Sequence, residues 1–152
     1  MALPNIYEKS VCDTLVQRIE KLNASTQALW GKMNVAQMLA HCNITYDLAK
    51  GKVSSKNGAF TKFMLKLFVK NLVVNEKPYP HNSRTAPIFI VDSEQNFEKE
   101  KQALIQHIYE VQKQGASHFE GKLSDSFGSL TATEWNNLFY KHVDHHLSQF
   151  GF

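Results

Sequence analysis

Apolar residues return at helical spacing in four stretches of the chain. Between roughly Ile6 and Leu22, Val11, Leu15, Ile19 and Leu22 recur at intervals of four and three, which lines one helical face. A polar connection, "NASTQALWGKMN", follows. Asn34 then offers an N-cap with Gln37 three residues on, a capping-box pattern. Behind it Val35, Met38, Leu39, Cys42 and Tyr46 make the stripe of a second helix that stops at Gly51. A third opens near Asp92 or Ser93, carries Phe97, Leu104, Ile105, Ile108 and Val111, and ends at Gly115. The last starts from a second capping box, Thr131 with Glu134, and runs to Gly151. Strand-like alternation of useful length is missing, and no repeat of fixed period is visible. The pattern predicts an all-α chain, a four-helix bundle.

An extra helical excursion is expected between the second and third of these helices. In "FTKFMLKLFVKNLVV" the residues Phe60, Phe63, Met64, Leu67 and Phe68 share one side, and Lys62, Lys66 and Lys70 share another. The bland reading is a solvated lysine face over a buried apolar stripe. The alternatives are a basic amphipathic surface, with Lys56 added, that meets anionic membrane or phosphate, or a homodimer contact through the stripe. The next stretch, "NEKPYPHNSRTAPIF", holds Pro78, Pro80 and Pro87 and reads as a long ordered loop across the bundle. "ASHFEGKLSDSFGSL" reads as a second loop.

Composition narrows the class. A chain of 152 residues with 43% hydrophobic and 20% charged residues fits a single globular domain, 1–152. A net charge of +3 is too mild to imply nucleic acid, and none is expected as a partner. Cys12 and Cys42 form no metal or redox motif and read as reduced, core thiols. With no signal-peptide pattern at the start and lysines interrupting the longest apolar run, a cytoplasmic protein without a transmembrane segment is expected.

The chemistry concentrates in the last helix. Three of the seven histidines, His142, His145 and His146, fall within five residues. With Trp135 at zero on a helical wheel, Leu138, Phe139 and Phe150 fall at about −60°, +40° and +60°. His142 and His146 then lie at about −20° and +20°, in the middle of the apolar face, and His145 lies at its edge near −80°. Residues four apart stack one above the other, so two imidazoles can converge on one ion. Two buried histidines without partners would leave donors and acceptors unsatisfied. A chance HxxxH on a half-exposed helix is the competing reading, and two ligands do not complete a site. His41, on the flank of the second helix's stripe, is the leading third candidate. His118 could close over the site from the preceding loop. His81 and His107 are weaker, one in the Pro-rich loop and one on a helix rim.

"WGKMNVAQMLAHC" (Trp30 to Cys42) and "HVDHHLSQ" (His142 to Gln149) together resemble the DinB/YfiT-like metal-binding superfamily. The first is similar to its second-helix motif ending in a ligand histidine, and the second to its last-helix HxxxH followed by Gln. "TAPIFIVDSEQNFEKEKQALI", "SHFEGKLS" and "TEWNNLFYKHVDHHLSQFG" resemble one bacterial branch of unknown function. The resemblance implies a four-helix bundle with a divalent transition metal, most often zinc or nickel, on three histidines. Carried over, the ligands are His41, His142 and His146. It also implies activities such as transfer of a low-molecular-weight thiol, isomerisation or hydrolysis.

Three neutral histidines on a divalent ion leave a position open, which is the layout of a catalytic rather than a closed structural site. A water or thiol bound there becomes reactive near neutral pH. His145 could orient a group or shuttle a proton, Gln149 could hydrogen-bond a ligand or substrate, and His118 could serve as fourth ligand or lid. The expected function is a metal-dependent enzyme, a thiol S-transferase or hydrolase acting on a small substrate. A non-catalytic binding protein clasped by its metal is the alternative.

Overall fold

The protein is described here by a computed structural model covering residues 2–152. It is mostly helical, with seven α-helices in chain order: α1 Lys9–Glu20, α2 Val35–Ala49, α3 Ala59–Phe68, α4 Lys70–Val74, α5 Phe97–Gln114, α6 Ala116–Phe119 and α7 Ala132–Gln149. The four long ones close a ring: α1 packs on α5 and α7, and α2 packs on α5 and α7. Their apolar stripes meet in one core that includes Leu15, Ile19, Leu39, Ile108, Phe139 and Leu147.

The helix starts follow from local chemistry. Asn34 Oδ1 accepts from Gln37 N at 2.9 Å while Gln37 Oε1 accepts from Asn34 N at 3.0 Å, so both halves of the capping box form at α2. Thr131 and Glu134 do the same at α7. α5 begins at Phe97, later than its periodicity suggests, because Asn96 is the residue that supplies the cap, accepting from Lys99 N at 2.9 Å. The exit of α1 has a cap that hydropathy could not reveal. Buried Lys101 on α5 donates to the carbonyls of Glu20 and Leu22, both at 3.2 Å, so a cation covers oxygens the helix end leaves open.

Two expectations need correction. The chain is not purely α: β1 (Leu123–Ser124) pairs antiparallel with β2 (Gly128–Ser129) inside the stretch read as a loop. The hairpin is too short to show alternation. Its turn closes through Phe127 N donating to Ser124 Oγ at 2.8 Å, with Gly128 at φ 73°. The second correction concerns the excursion. It is helical, as α3 and α4 broken at Val69, but no residue of α3 is buried. Phe60, Phe63, Leu67 and Phe68 face outward, while Lys62 and Lys70 turn to the body of the protein and Lys66 stays exposed. Lys62 pairs with Asp125 at 3.7 Å, and Lys70 with Glu134 at 2.8 Å. The exit of α4 is anchored from α7: Lys141 Nζ donates to Leu72 O at 2.9 Å and Asn75 O at 2.6 Å, and Asn137 Nδ2 donates to Val74 O at 2.8 Å.

Candidate metal centre

His41 comes from the middle of α2, and His142 and His146 from the second half of α7. Because α2 packs on α7, the two helices bring the three rings together. Ring centroids lie 4.9 Å apart for His41 and His142, 4.6 Å for His41 and His146, and 4.8 Å for His142 and His146. One nitrogen from each ring falls within 4.8 Å of those of the other two, a cluster able to hold a metal ion.

The outer nitrogens of the rings are all engaged. His41 Nδ1 sits 2.8 Å from Phe89 O. A carbonyl only accepts, so Nδ1 carries the proton and a neutral ring leaves Nε2 bare. His146 Nδ1 sits 2.8 Å from Gln149 Oε1, and Gln149 Nε2 donates to Trp30 O at 2.8 Å. The Trp30 carbonyl thereby sets which way the Gln149 amide points, and the amide oxygen in turn places the His146 proton on Nδ1. His142 Nδ1 faces Thr45 Oγ1 at 2.9 Å, a hydroxyl able to accept. Its Nε2 faces His41 Nε2 at 2.9 Å. Two bare nitrogens so close repel unless a proton or a cation lies between them.

The electrostatics run the same way. Burial lowers the pKa of His41, against a smaller opposing effect of the Phe89 carbonyl. Burial lowers His146 to about 3, helped by the neighbouring His41. His142 is held well below the ordinary histidine value by burial and then by His146 and His41. All three rings are therefore neutral at pH 7, the state in which imidazole binds a metal without first losing a proton. Outer partners on Nδ1 are what metal-ligating histidines commonly carry. The residues fit a divalent transition ion: three nitrogen donors with no carboxylate among them do not suit calcium or magnesium.

The cluster opens into a cavity of about 930 Å³ with mainly apolar walls. Leu65, Val69, Leu72 and Val73 of the excursion form one wall, and Ile88 and Phe89 another. His145 lines the same cavity, half-buried, with its ring 5.1 Å from that of His146. Burial, and then nearby His81, lower its pKa.

The sequence candidates separate cleanly. His41, His142 and His146 come together, Gln149 supports His146, and His145 stands beside them on the cavity. His118 does not join them. Gly115, at φ 76°, breaks the chain after α5 and starts the short α6. His118 there lines a separate cavity of about 230 Å³ with Tyr46 and Lys50, so the lid and fourth-ligand roles have no geometric basis.

Sequence reasoning missed several participants. Thr45 stands one turn after His41, and that i, i+4 spacing was the available signal. Phe89 contributes a backbone carbonyl from the 3-10 turn Pro87–Phe89, which no side-chain pattern reports. His81, set aside as a loop residue, stacks flat on Trp30 with centroids 3.9 Å apart, and both rings stand edge-on to His145. His107 lies elsewhere, stacked on Tyr46 and beside Lys50.

Residues 8–151 match the family model described as "Protein of unknown function (DUF1569)", and the chain belongs to that family. No curated protein and no solved structure matches the chain. The family assignment corrects the DinB/YfiT-like resemblance drawn from the two histidine motifs. A histidine at the end of one helical motif and an HxxxH on another record local helix geometry. Any helical protein that gathers imidazoles can reach that geometry, whereas the family match weighs nearly the whole chain.

Proposed function

We propose that this DUF1569 chain is a divalent-metal-dependent enzyme built on a four-helix bundle, with its ion, zinc or nickel, held by His41, His142 and His146. One observation carries the reading: each imidazole is engaged through Nδ1, and one nitrogen from each of the three rings lies within 4.8 Å of the others beside a large cavity. When bound, the ion supplies Lewis acidity that makes a thiol or water reactive near neutral pH. The reaction class we propose is transfer of a small thiol or hydrolysis, on a substrate whose apolar part fills the cavity.

The chain's own groups have separate tasks in this scheme. Phe89 O, Thr45 and Gln149 orient the three rings. His145, neutral at pH 7 and facing the cavity, accepts a proton from the reacting group. Trp30 and Tyr79 fix its ring from two sides, at centroid distances of 6.1 and 5.5 Å. The apolar cavity walls would favour the apolar part of a substrate beside an ion held there. Two buried free thiols, Cys12 and Cys42, support a reducing, cytoplasmic setting.

Elemental analysis of the purified protein beside His142→Ala and His146→Ala tests the reading. One equivalent of a transition metal in the wild type, absent from both variants, is expected. Titration of the loaded protein with small thiols then tests the reaction class. Metal bound without any response to thiols or to hydrolysable esters would leave the non-catalytic clasp as the better description. A metal-free protein that takes up neither zinc nor nickel would refute the centre itself.

A further inference from the structure

α3 is amphipathic in the reverse sense to a packing helix. A helix on a protein's surface ordinarily turns its apolar stripe inward. Here Lys62 and Lys70 tie the excursion down through Asp125 and Glu134, and the stripe faces out. Phe60 is 77% exposed, Phe63 56%, Leu67 56% and Phe68 71%. Three phenylalanines and a leucine on three turns form a contiguous apolar face of the kind that marks an interaction site.

Charge decides between occupants. Residues 51–75 contain five lysines and no aspartate or glutamate, and three of them, Lys52, Lys62 and Lys70, pair with Asp47, Asp125 and Glu134. Lys56 and Lys66 are exposed and have no acidic partner among the described residues. A second copy docking about a two-fold axis would set these two unpaired lysines against their own twins, like charge on like. An anionic lipid surface is complementary to it: the aromatic and leucine side chains enter the acyl boundary, and the flanking ammonium groups meet phosphates.

We propose that α3 seats this protein on anionic lipid surfaces, with Phe60, Phe63, Leu67 and Phe68 as the inserted face and Lys56 and Lys66 as the headgroup contacts. The opposite side of the excursion, through Leu65, Val69, Leu72 and Val73, forms a wall of the histidine-lined cavity. Docking would therefore leave the excursion lying between that cavity and the bilayer. Among the described residues no helix is long and apolar enough to cross a membrane, and the proposed contact is a peripheral one.

The test is co-sedimentation with vesicles of phosphatidylcholine alone and of three parts phosphatidylcholine to one part phosphatidylglycerol, with light scattering to fix oligomeric state. Wild type is expected to bind the mixed vesicles at least ~10-fold better than the neutral ones. Phe60→Ser/Phe68→Ser should lose that binding by at least ~10-fold with an unchanged circular dichroism spectrum and melting temperature, since both side chains are exposed. Lys56→Glu/Lys66→Glu should lose the preference for phosphatidylglycerol. His142→Ala should bind vesicles as the wild type does, which keeps this inference separate from the metal reading. Absence of vesicle binding would overturn it. So would a stable dimer that the double serine variant splits into monomers, because the face would then belong to a second copy.

Discussion

Gln149 shows how much one side chain can decide. Its amide bridges the Trp30 carbonyl and His146 Nδ1, so the connection between α1 and α2 reaches the histidine cluster through a single residue. Gln149→Leu keeps the volume and removes both hydrogen bonds. The expected outcome is a 10–100-fold weaker zinc affinity, roughly the usual loss when an outer partner of a ligand histidine is removed. Competition titration with a chromophoric chelator measures it. Thr45→Val should act the same way through His142. Gly31 belongs to this arrangement too. It adopts φ +87°, and a Cβ there would collide with Gln149 Nε2. Gly31→Ala is therefore expected to weaken metal binding through Gln149, and the same titration checks it.

Protonation acts at the same scale. The folded-state pKa of His146 is depressed from 6.5 to about 3, so the unfolded chain binds its proton first as pH falls. No penalty arises above about pH 6.5. Below that, the metal-free fold loses about 1.4 kcal/mol per pH unit from this group until the folded pKa is reached. His41 and His142 shift in the same direction and add to the loss. Urea unfolding of chelator-treated protein at pH 7.5, 6.5 and 5.5 should show flat stability across the first interval and a clear drop across the second. His146→Asn should shallow that drop.

At the scale of elements, the two helices that carry the histidines are the two with complete capping boxes. Asn34 and Thr131 start α2 and α7, and an error in either start would rotate a ligand off the cavity side. Asn34→Ala and Thr131→Ala are each expected to lower stability by about 1 kcal/mol, read as a shift in denaturant midpoint with unchanged slope. The excursion depends on longer-range chemistry. Lys141, buried on α7, donates to two backbone carbonyls at the end of α4, and burial lowers its pKa to about 8. α3 itself contributes nothing to the core, so its position rests on Lys62, Lys70 and the α4 anchor.

For the whole molecule, an ion held by His41, His142 and His146 would link two helices far apart in sequence. Any ligand that binds only the folded state stabilises it by mass action, about 2.7 kcal/mol at 100 times its Kd. For a domain of this size that corresponds to a rise in Tm of roughly 5–10 °C. Zinc or nickel should produce that rise in the wild type and none in His142→Ala, measured by differential scanning calorimetry against a chelator blank.

The sequence by itself determined the four long helices, two of their three side-chain caps and the histidine face of α7. These are local facts. Periodicity reports which residues share a side, and a cap lies within three residues of what it caps. The wheel placed His142 and His146 together, and Gln149 lay close enough to be suspected. Only the tertiary structure decided the rest. That His41 rather than His118 meets the pair depends on α2 packing against α7 while Gly115 sends His118 to another cavity. The Phe89 carbonyl and the Trp30 carbonyl are backbone groups, and hydropathy carries no record of where a carbonyl points. The outward turn of α3 was equally hidden. An amphipathic pattern states that two faces differ, but which one turns inward is set by Asp125 and Glu134, residues far along the chain that hold the lysine side down.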